Sequence, residues 1–190
     1  MKAIALTAMA AAVAATALLA GCNSAPPAVG RAEPTYQDAA SAPLLANSRD
    51  AIAKLTTGFD LSALGGGPVL VATVVNVNDL RNSAPLGRTL SEQYGTQMAA
   101  AGFNVKEIKL RGEIFVKEGA GELLLSREVK DVARSYNAAL VLVGTYSPAA
   151  NYTYVSLKLV RTEDSRIVRG YDYALPNDRD VQRLLAPPRG

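Results

Sequence analysis

The period of the apolar positions changes several times along the chain, and each change marks an element. Ala3 to Ala20 is apolar apart from Thr7 and Thr16, whereas Asn23 to about Pro43 shows no sustained period. Leu45, Ile52, Leu55 and Phe59 then recur at helical spacing with Arg49, Asp50 and Lys54 between them. This is the pattern of an amphipathic helix, which Gly65-Gly66-Gly67-Pro68 ends. Pro68 to Val77 is a nearly continuous β-branched run, suited to a strand buried on both faces. Ser83 reads as the N-cap of a second helix, in which Leu86, Leu90, Tyr94 and Met98 recur every fourth residue and Gly87 permits close packing. Gly102 stops it.

The second half alternates in the same way. Phe103 to Arg111 predicts a strand whose alternation slips near Lys106-Glu107, and a loop with Gly112, Gly119 and Gly121 follows, holding a short apolar Ile114-Phe115-Val116. Ser126 is expected to cap a third helix with Val129, Val132, Ala133 and Tyr136 on one face and an Arg127/Asp131 pair on the other. Ala138 to Tyr146 reads as another buried strand. Two more, Tyr152 to Arg161 and Ile167 to Leu175, flank the turn Thr162-Glu163-Asp164-Ser165. Asn177-Asp178 opens a last short helix with Val181, Leu184 and Leu185. The expected fold is α/β: a single mixed sheet of about five strands packed with three to four helices. Pairing is expected to be parallel in the first half and antiparallel in the second.

The opening of the chain changes the picture next. Met1-Lys2 followed by the apolar run is a secretory signal, and it ends in Leu19-Ala20-Gly21-Cys22. That tetrapeptide resembles the bacterial lipobox, with small residues before a Cys that becomes acylated and N-terminal. Residues 1–21 are then a removable lipoprotein signal peptide, and Cys22 is a lipid attachment point. Several acyl chains there suffice for stable anchoring. Asn23 in place of Asp resembles the sorting pattern for the outer membrane. Residues 22–43 carry Pro26, Pro27, Pro34 and Pro43 among many Ala and Ser. They read as a flexible tether with an r.m.s. span of roughly 25 Å. Residues 44–186 form the α/β domain, and 187–190 a tail.

Composition then removes chemistry. There are 190 residues, 20 Lys+Arg against 17 Asp+Glu, no His and one Cys. Imidazole acid/base catalysis, Ser-His-Asp and Cys-His nucleophiles, and Cys/His zinc sites are excluded. A net charge of +3 is a weak field with no basic stripe, which disfavours nucleic-acid binding. Gly65-Gly66-Gly67 and Gly119-Ala120-Gly121 lack the Lys-Ser/Thr of a phosphate-binding loop. Asp178 and Asp180 lack the Gly and distal Glu of a calcium loop, and fit better at the positive end of the last helix. Asp79, Glu92 and Asp172 form no paired-carboxylate pattern. No cofactor or metal is expected, and the chain reads as a non-enzyme.

Val69 to Tyr173 resembles the FlgO family of outer-membrane lipoproteins. The resemblance is carried by Val71-Ala72-Thr73, Asn78-Asp79-Leu80, Ser83-Ala84-Pro85-Leu86-Gly87-Arg88 and Leu90-Ser91-Glu92-Gln93. It continues through Val105, Ile108-Lys109-Leu110-Arg111-Gly112, Leu124-Leu125-Ser126-Arg127, Leu142-Val143-Gly144-Thr145-Tyr146, Val155, Val160-Arg161 and Tyr171-Asp172-Tyr173. The resemblance implies a non-catalytic part of the flagellar outer-membrane apparatus that supports motility, anchored in the outer membrane with its domain facing the periplasm. The alternative is an envelope adaptor or regulatory binding module for cell-wall or secretion machinery. Expected partners are membrane lipid, through acylated Cys22, and other envelope or flagellar proteins. A homo-oligomer is compatible with a ring component, although no coiled-coil heptads are present.

Two regions stand out as binding candidates. Asn76, Asn78, Asp79, Arg81 and Asn82 follow the first strand's carboxyl end and precede a helix. The cluster either satisfies helix-end amides or holds a small anion or a partner's carboxylate. In the fourth strand Val155, Leu157 and Leu159 share one face, leaving Tyr152, Tyr154, Ser156 and Lys158 on the other. A three-residue loop Glu163-Asp164-Ser165 would pair Val155 with Tyr173 and Leu157 with Tyr171, sending Tyr171 and Tyr173 inward. Tyr152 and Tyr154 would stay half-exposed, either packed across strands or offered to a protein.

Overall fold

The computed structural model describes residues 33–80, 83–108, 115–118, 122–125 and 127–186. Leu19, Ala20, Gly21, Cys22, Asn23, Arg81, Asn82, Ser126 and residues 187–190 lie outside them. The chain divides into two units, Met1–Tyr36 and Gln37–Gly190, and the architecture below concerns the second.

A five-residue helix, α1 (Tyr36–Ala40), lies in the stretch read as tether, and none of its residues is buried. Helix α2 (Pro43–Thr56) starts with proline at its first position and buries Ser48, Ala51, Ile52 and Leu55. Arg49, Asp50 and Lys54 are exposed, as the spacing predicts. A 3₁₀ turn (Leu61–Leu64) leads through Gly65 to β1 (Val69–Ala72). The first strand then breaks, and β2 is only Val75–Asn76. Helix α3 spans Pro85–Ala100 and ends in a left-handed Gly102. There the Phe103 amide donates to the Met98 carbonyl at 3.2 Å. Strand β3 is Val105–Ile108.

Phe115–Glu118 and Glu122–Leu125, read as loop, form a separate antiparallel hairpin, β4 and β5. Gly119-Ala120-Gly121 separates the two strands in sequence and the apolar run is short, which is the pattern of a loop. Helix α4 (Arg127–Ser135) follows, then β6 (Leu140–Pro148), β7 (Tyr152–Arg161), β8 (Ile167–Pro176) and α5 (Arg179–Leu185).

The main sheet has the order β3-β1-β6-β7-β8, with β2 pairing further along β6. β3, β1 and β6 are parallel; β7 and β8 are antiparallel. This is the mixed sheet the element order predicts. One face carries the larger core, where α2, α3 and Val181 of α5 meet Val69, Val71, Leu140, Leu142, Leu157, Leu159 and Leu175. Leu86, Leu90, Tyr94 and Met98 are fully buried there, and each side chain contributes roughly 2 kcal/mol. On the other face α4 places Val129 and Ala133 against Leu70, Ala72, Val141, Val143 and Val160. Nine residues cannot cover the whole sheet. Of the β7–β8 half of that face, only Val160 joins the apolar cluster under α4 among the described residues.

The break in the first strand has a local cause. The Val74 amide donates to Ser91 Oγ at 2.8 Å, and the Val74 carbonyl accepts from Ser83 Oγ at 2.7 Å. Side chains of α3 and its leader thus take the backbone groups a strand would have paired. Ser83 is therefore not the helix N-cap. That position is Ala84, which makes no side-chain cap and whose amide donates to the Tyr146 hydroxyl at 2.9 Å. A β-carbon at Gly87 would overlap the Val74 carbonyl oxygen and Ser83 Oγ and come within 3.1 Å of the Tyr146 ring.

Other corrections are smaller. Tyr136 lies beyond α4 and is 46% exposed rather than on its apolar face. Asp131 pairs with Arg134 at 3.0 Å, not with Arg127. The expected register is observed, with Val155 opposite Tyr173 and Leu157 opposite Tyr171. It is reached differently: the Arg161 amide bonds the Arg166 carbonyl at 2.8 Å across a four-residue turn. A bulge where Leu159 faces Arg169 but Val160 faces Ile167 restores the phase.

Replacing Gly87 by Ala is expected to destabilise the fold by about 2–3 kcal/mol, because the obstacle is backbone and cannot rotate away. Gly170→Ala, whose β-carbon would approach nothing closer than 3.6 Å, should change stability by less than about 0.5 kcal/mol. Urea denaturation of the two variants beside the parent chain measures both.

Candidate interaction face

The uncovered side of the antiparallel half is built by simple alternation. Leu140, Leu142, Gly144 and Tyr146 of β6 point to the larger core, so Thr145 and Ser147 point away from it. Along β7, Thr153, Val155, Leu157 and Leu159 are buried, which leaves Tyr152, Tyr154, Ser156 and Lys158 on the far side. The register places Ser156 opposite Asp172, Tyr154 opposite Ala174, and Lys158 opposite Gly170. Tyr152 and Tyr154 are 48% and 55% exposed. Here Val77, Thr145, Ser147, Tyr154, Ser156 and Asp172 line a depression of about 510 Å³.

Asn76, Asn78 and Asp79 adjoin this depression through Val77, whose amide donates to the Tyr146 carbonyl at 2.9 Å. The loop folds on itself: Asn76 Oδ1 accepts from the Asn78 amide at 2.9 Å, and its carbonyl accepts from the Asp79 amide at 3.1 Å. The amide of the N-cap residue Ala84 is bonded to the Tyr146 hydroxyl, not to this cluster. Arg81 lies outside the described residues. Glu92 is exposed on α3, across the sheet from Asp172, so these two carboxylates are not brought together.

Opposite this face lies a buried polar cluster. The hydroxyls of Tyr94 and Tyr173 are hydrogen-bonded to each other. Ser48 Oγ donates to Gln93 Oε1 at 2.6 Å. Tyr173 stacks on Tyr171 at 6.3 Å, and Lys54 Nζ lies 5.5 Å above the Tyr171 ring. Burial pushes the Tyr173 phenol up to about 12, with hydrogen bonds from Tyr94 and Ser48 pulling the other way. Burial likewise pushes Tyr94 far above the ordinary phenol range. These groups lock α2 and α3 onto β8 as neutral hydroxyls.

Among the described residues no group of three metal-ligating side chains occurs, and no helix is long and apolar enough to cross a membrane. Aromatic faces, hydroxyls and one carboxylate on a flat strand surface suit contact with a protein. Sequence reasoning named Tyr152 and Tyr154 but not Thr145, Ser147 or Asp172 as their neighbours. Period-two counting through Tyr146 and Tyr171 could have found them.

Both buried phenols bind their proton more tightly in the folded chain than in the unfolded one. Their contribution is therefore complete below about pH 10 and is lost as pH rises through about 12. The urea midpoint is expected to stay level on this account from pH 7 to 9.5 and to fall above pH 10. A Tyr94→Phe/Tyr173→Phe double variant should fall less steeply there.

The family described as FlgO protein matches residues 49–180. Among solved structures, the LpoB C-terminal domain from Escherichia coli is similar at 16% identity, covering 70% of this chain and 98% of that one with a TM-score of 0.47. The LpoB C-terminal domain from Salmonella enterica gives 14% identity, 67% and 94% coverage and a TM-score of 0.46. A PelC dodecamer from Paraburkholderia phytofirmans gives 17% identity, 58% and 72% coverage and a TM-score of 0.43. No curated protein matches the sequence. With more than two thirds of its length matched, the chain belongs to the FlgO family.

Proposed function

We propose that this chain is a non-enzymatic outer-membrane lipoprotein, an assembly component of the flagellar outer-membrane apparatus that supports motility. The observation carrying this reading is the FlgO match over residues 49–180. The sequence supports it independently, since the chain's one Cys falls at the end of Leu19-Ala20-Gly21-Cys22. On this reading Cys22 is acylated, Asn23 permits sorting to the outer membrane, and the domain stands in the periplasm.

The domain then works by docking. Tyr152 and Tyr154 offer two large, rigid rings that lose little side-chain entropy on contact. The hydroxyls around them accept or donate without imposing a charge. The absence of His from the whole chain removes the commonest proton-transfer group. Assembly thus needs an anchor and a face, and no reacting centre.

Deleting the gene in a flagellated host is expected to abolish or strongly reduce swimming in soft agar; normal swimming contradicts the flagellar assignment. Cys22→Ala should lose labelling by radioactive palmitate, leave the outer-membrane fraction and fail to restore swimming. Full complementation by a non-acylated form would contradict the assembly role.

A further inference from the structure

Strand β8 ends the sheet path, with no strand beyond it among the described residues. The Asn177 amide donates to the Asn151 carbonyl at 2.9 Å, which sets the phase of the β7–β8 ladder. Residues two, four and six before Asn177, namely Leu175, Tyr173 and Tyr171, turn their backbone groups toward β7 as well. Ala174, Asp172 and Gly170 turn theirs outward, and no partner for those outward groups occurs among the described residues. The edge runs ten residues, with its one proline at the end and its bulge at the turn. Arg169 and Asp172 are its charged residues, and it carries none of the lysines, internal prolines or central bulges that most strongly blunt an exposed edge.

Charge on the far face points to what could fill it. Lys158 stands opposite Gly170, one register step from Asp172. The ion pairs among the described residues are Lys54–Asp50, Arg134–Asp131 and Arg161–Asp164, so neither Lys158 nor Asp172 is in one.

We propose that β8 pairs antiparallel with β8 of a second copy of this chain, about a two-fold axis at Tyr171. Gly170 of each copy then faces Asp172 of the other, so the outward amides and carbonyls on both sides meet in hydrogen-bonded pairs. Adjacent strands lie about 4.8 Å apart. Lys158 therefore reaches across the side-chain-free Gly170 position to the second copy's Asp172, roughly 10 Å away between backbones. Two-fold symmetry makes this pair twice. Sliding the register by two residues one way sets Asp172 against Asp172; sliding it the other way sets Gly170 against Gly170 and moves Asp172 away from Lys158. The charges thus select one alignment. The result is one continuous sheet through both copies, with the two tyrosine faces on the same side. This inference rests on the edge and its charges, not on the flagellar reading, and either can fail alone.

Sedimentation equilibrium of the full chain in density-matched detergent is expected to show a dimer. Lys158→Glu and Asp172→Lys should each weaken it about tenfold, and the double exchange Lys158→Glu/Asp172→Lys should restore it. Tyr171→Cys places two thiols at a facing, non-hydrogen-bonded position, within disulfide reach. It should give a disulfide-linked dimer in intact cells, where the parent chain and Tyr152→Cys give none. Circular dichroism confirms that the charge variants are folded. A monomer at 100 µM, equal dimerisation by all charge variants, or failure of the double exchange to recover it overturns the proposal. A monomer would leave the β8 edge to a strand of a different protein.

Discussion

The close approach of the first turn of α3 to the break in the first strand organises the rest of the fold. Backbone meets backbone there because Gly87 has no side chain, and the Val74 amide and carbonyl are taken up by Ser91 and Ser83. Tyr146 closes the arrangement from β6 by capping the helix amide at Ala84. The consequence is a change of phase: Val71 pairs with Leu142, but Val75 pairs with Thr145, one residue short of a continuous register. That shift carries β2 past the helix and delivers Val77 to the rim of the depression on the far face. A packing constraint deep on one side of the sheet thereby shapes the surface on the other.

Coverage of the sheet explains where that surface lies. The larger core is sealed by α2, α3 and α5, and its polar cluster of Ser48, Gln93, Tyr94 and Tyr173 is satisfied internally. Among the described residues the opposite side carries the nine-residue α4, whose apolar cluster takes in β1, β6 and Val160 of β7. Where the helix stops, the outward residues change from Val141 and Val143 to Thr145 and Ser147. The same strand thus carries a core face and a wettable face in sequence. On the proposed reading, the wettable part is where a neighbouring envelope protein is met.

Much of this was legible in the residues. Alternation in Tyr152 to Arg161 identifies the inward set, and with a three-residue loop it gives the register that sends Tyr171 and Tyr173 inward; that register holds, although a four-residue turn and a bulge produce it. The fourfold spacing of Leu86, Leu90, Tyr94 and Met98 likewise identified the buried stripe of α3. What escaped were features that depend on partners distant in sequence. Ser83 has the composition of an N-cap, yet its hydroxyl is claimed by Val74. The β4–β5 hairpin hides because its strands are four residues each and separated by glycine. The depression itself escaped because Thr145, Ser147, Ser156 and Asp172 come from three strands and carry no motif, although period-two counting places each of them on the outward face. For the polar loop, Asn76 was correctly placed at a strand end, but its side chain serves its own turn.

On the proposed reading, the far face of β7 and β8 is the working surface of a lipid-anchored domain. Site-specific photo-crosslinking in living cells tests this most directly, with benzoylphenylalanine in turn at positions 152, 154 and 50. The account predicts adducts with another envelope protein from 152 and 154, and none from position 50 on α2. Adducts from position 50 with none from 152 or 154 would contradict it.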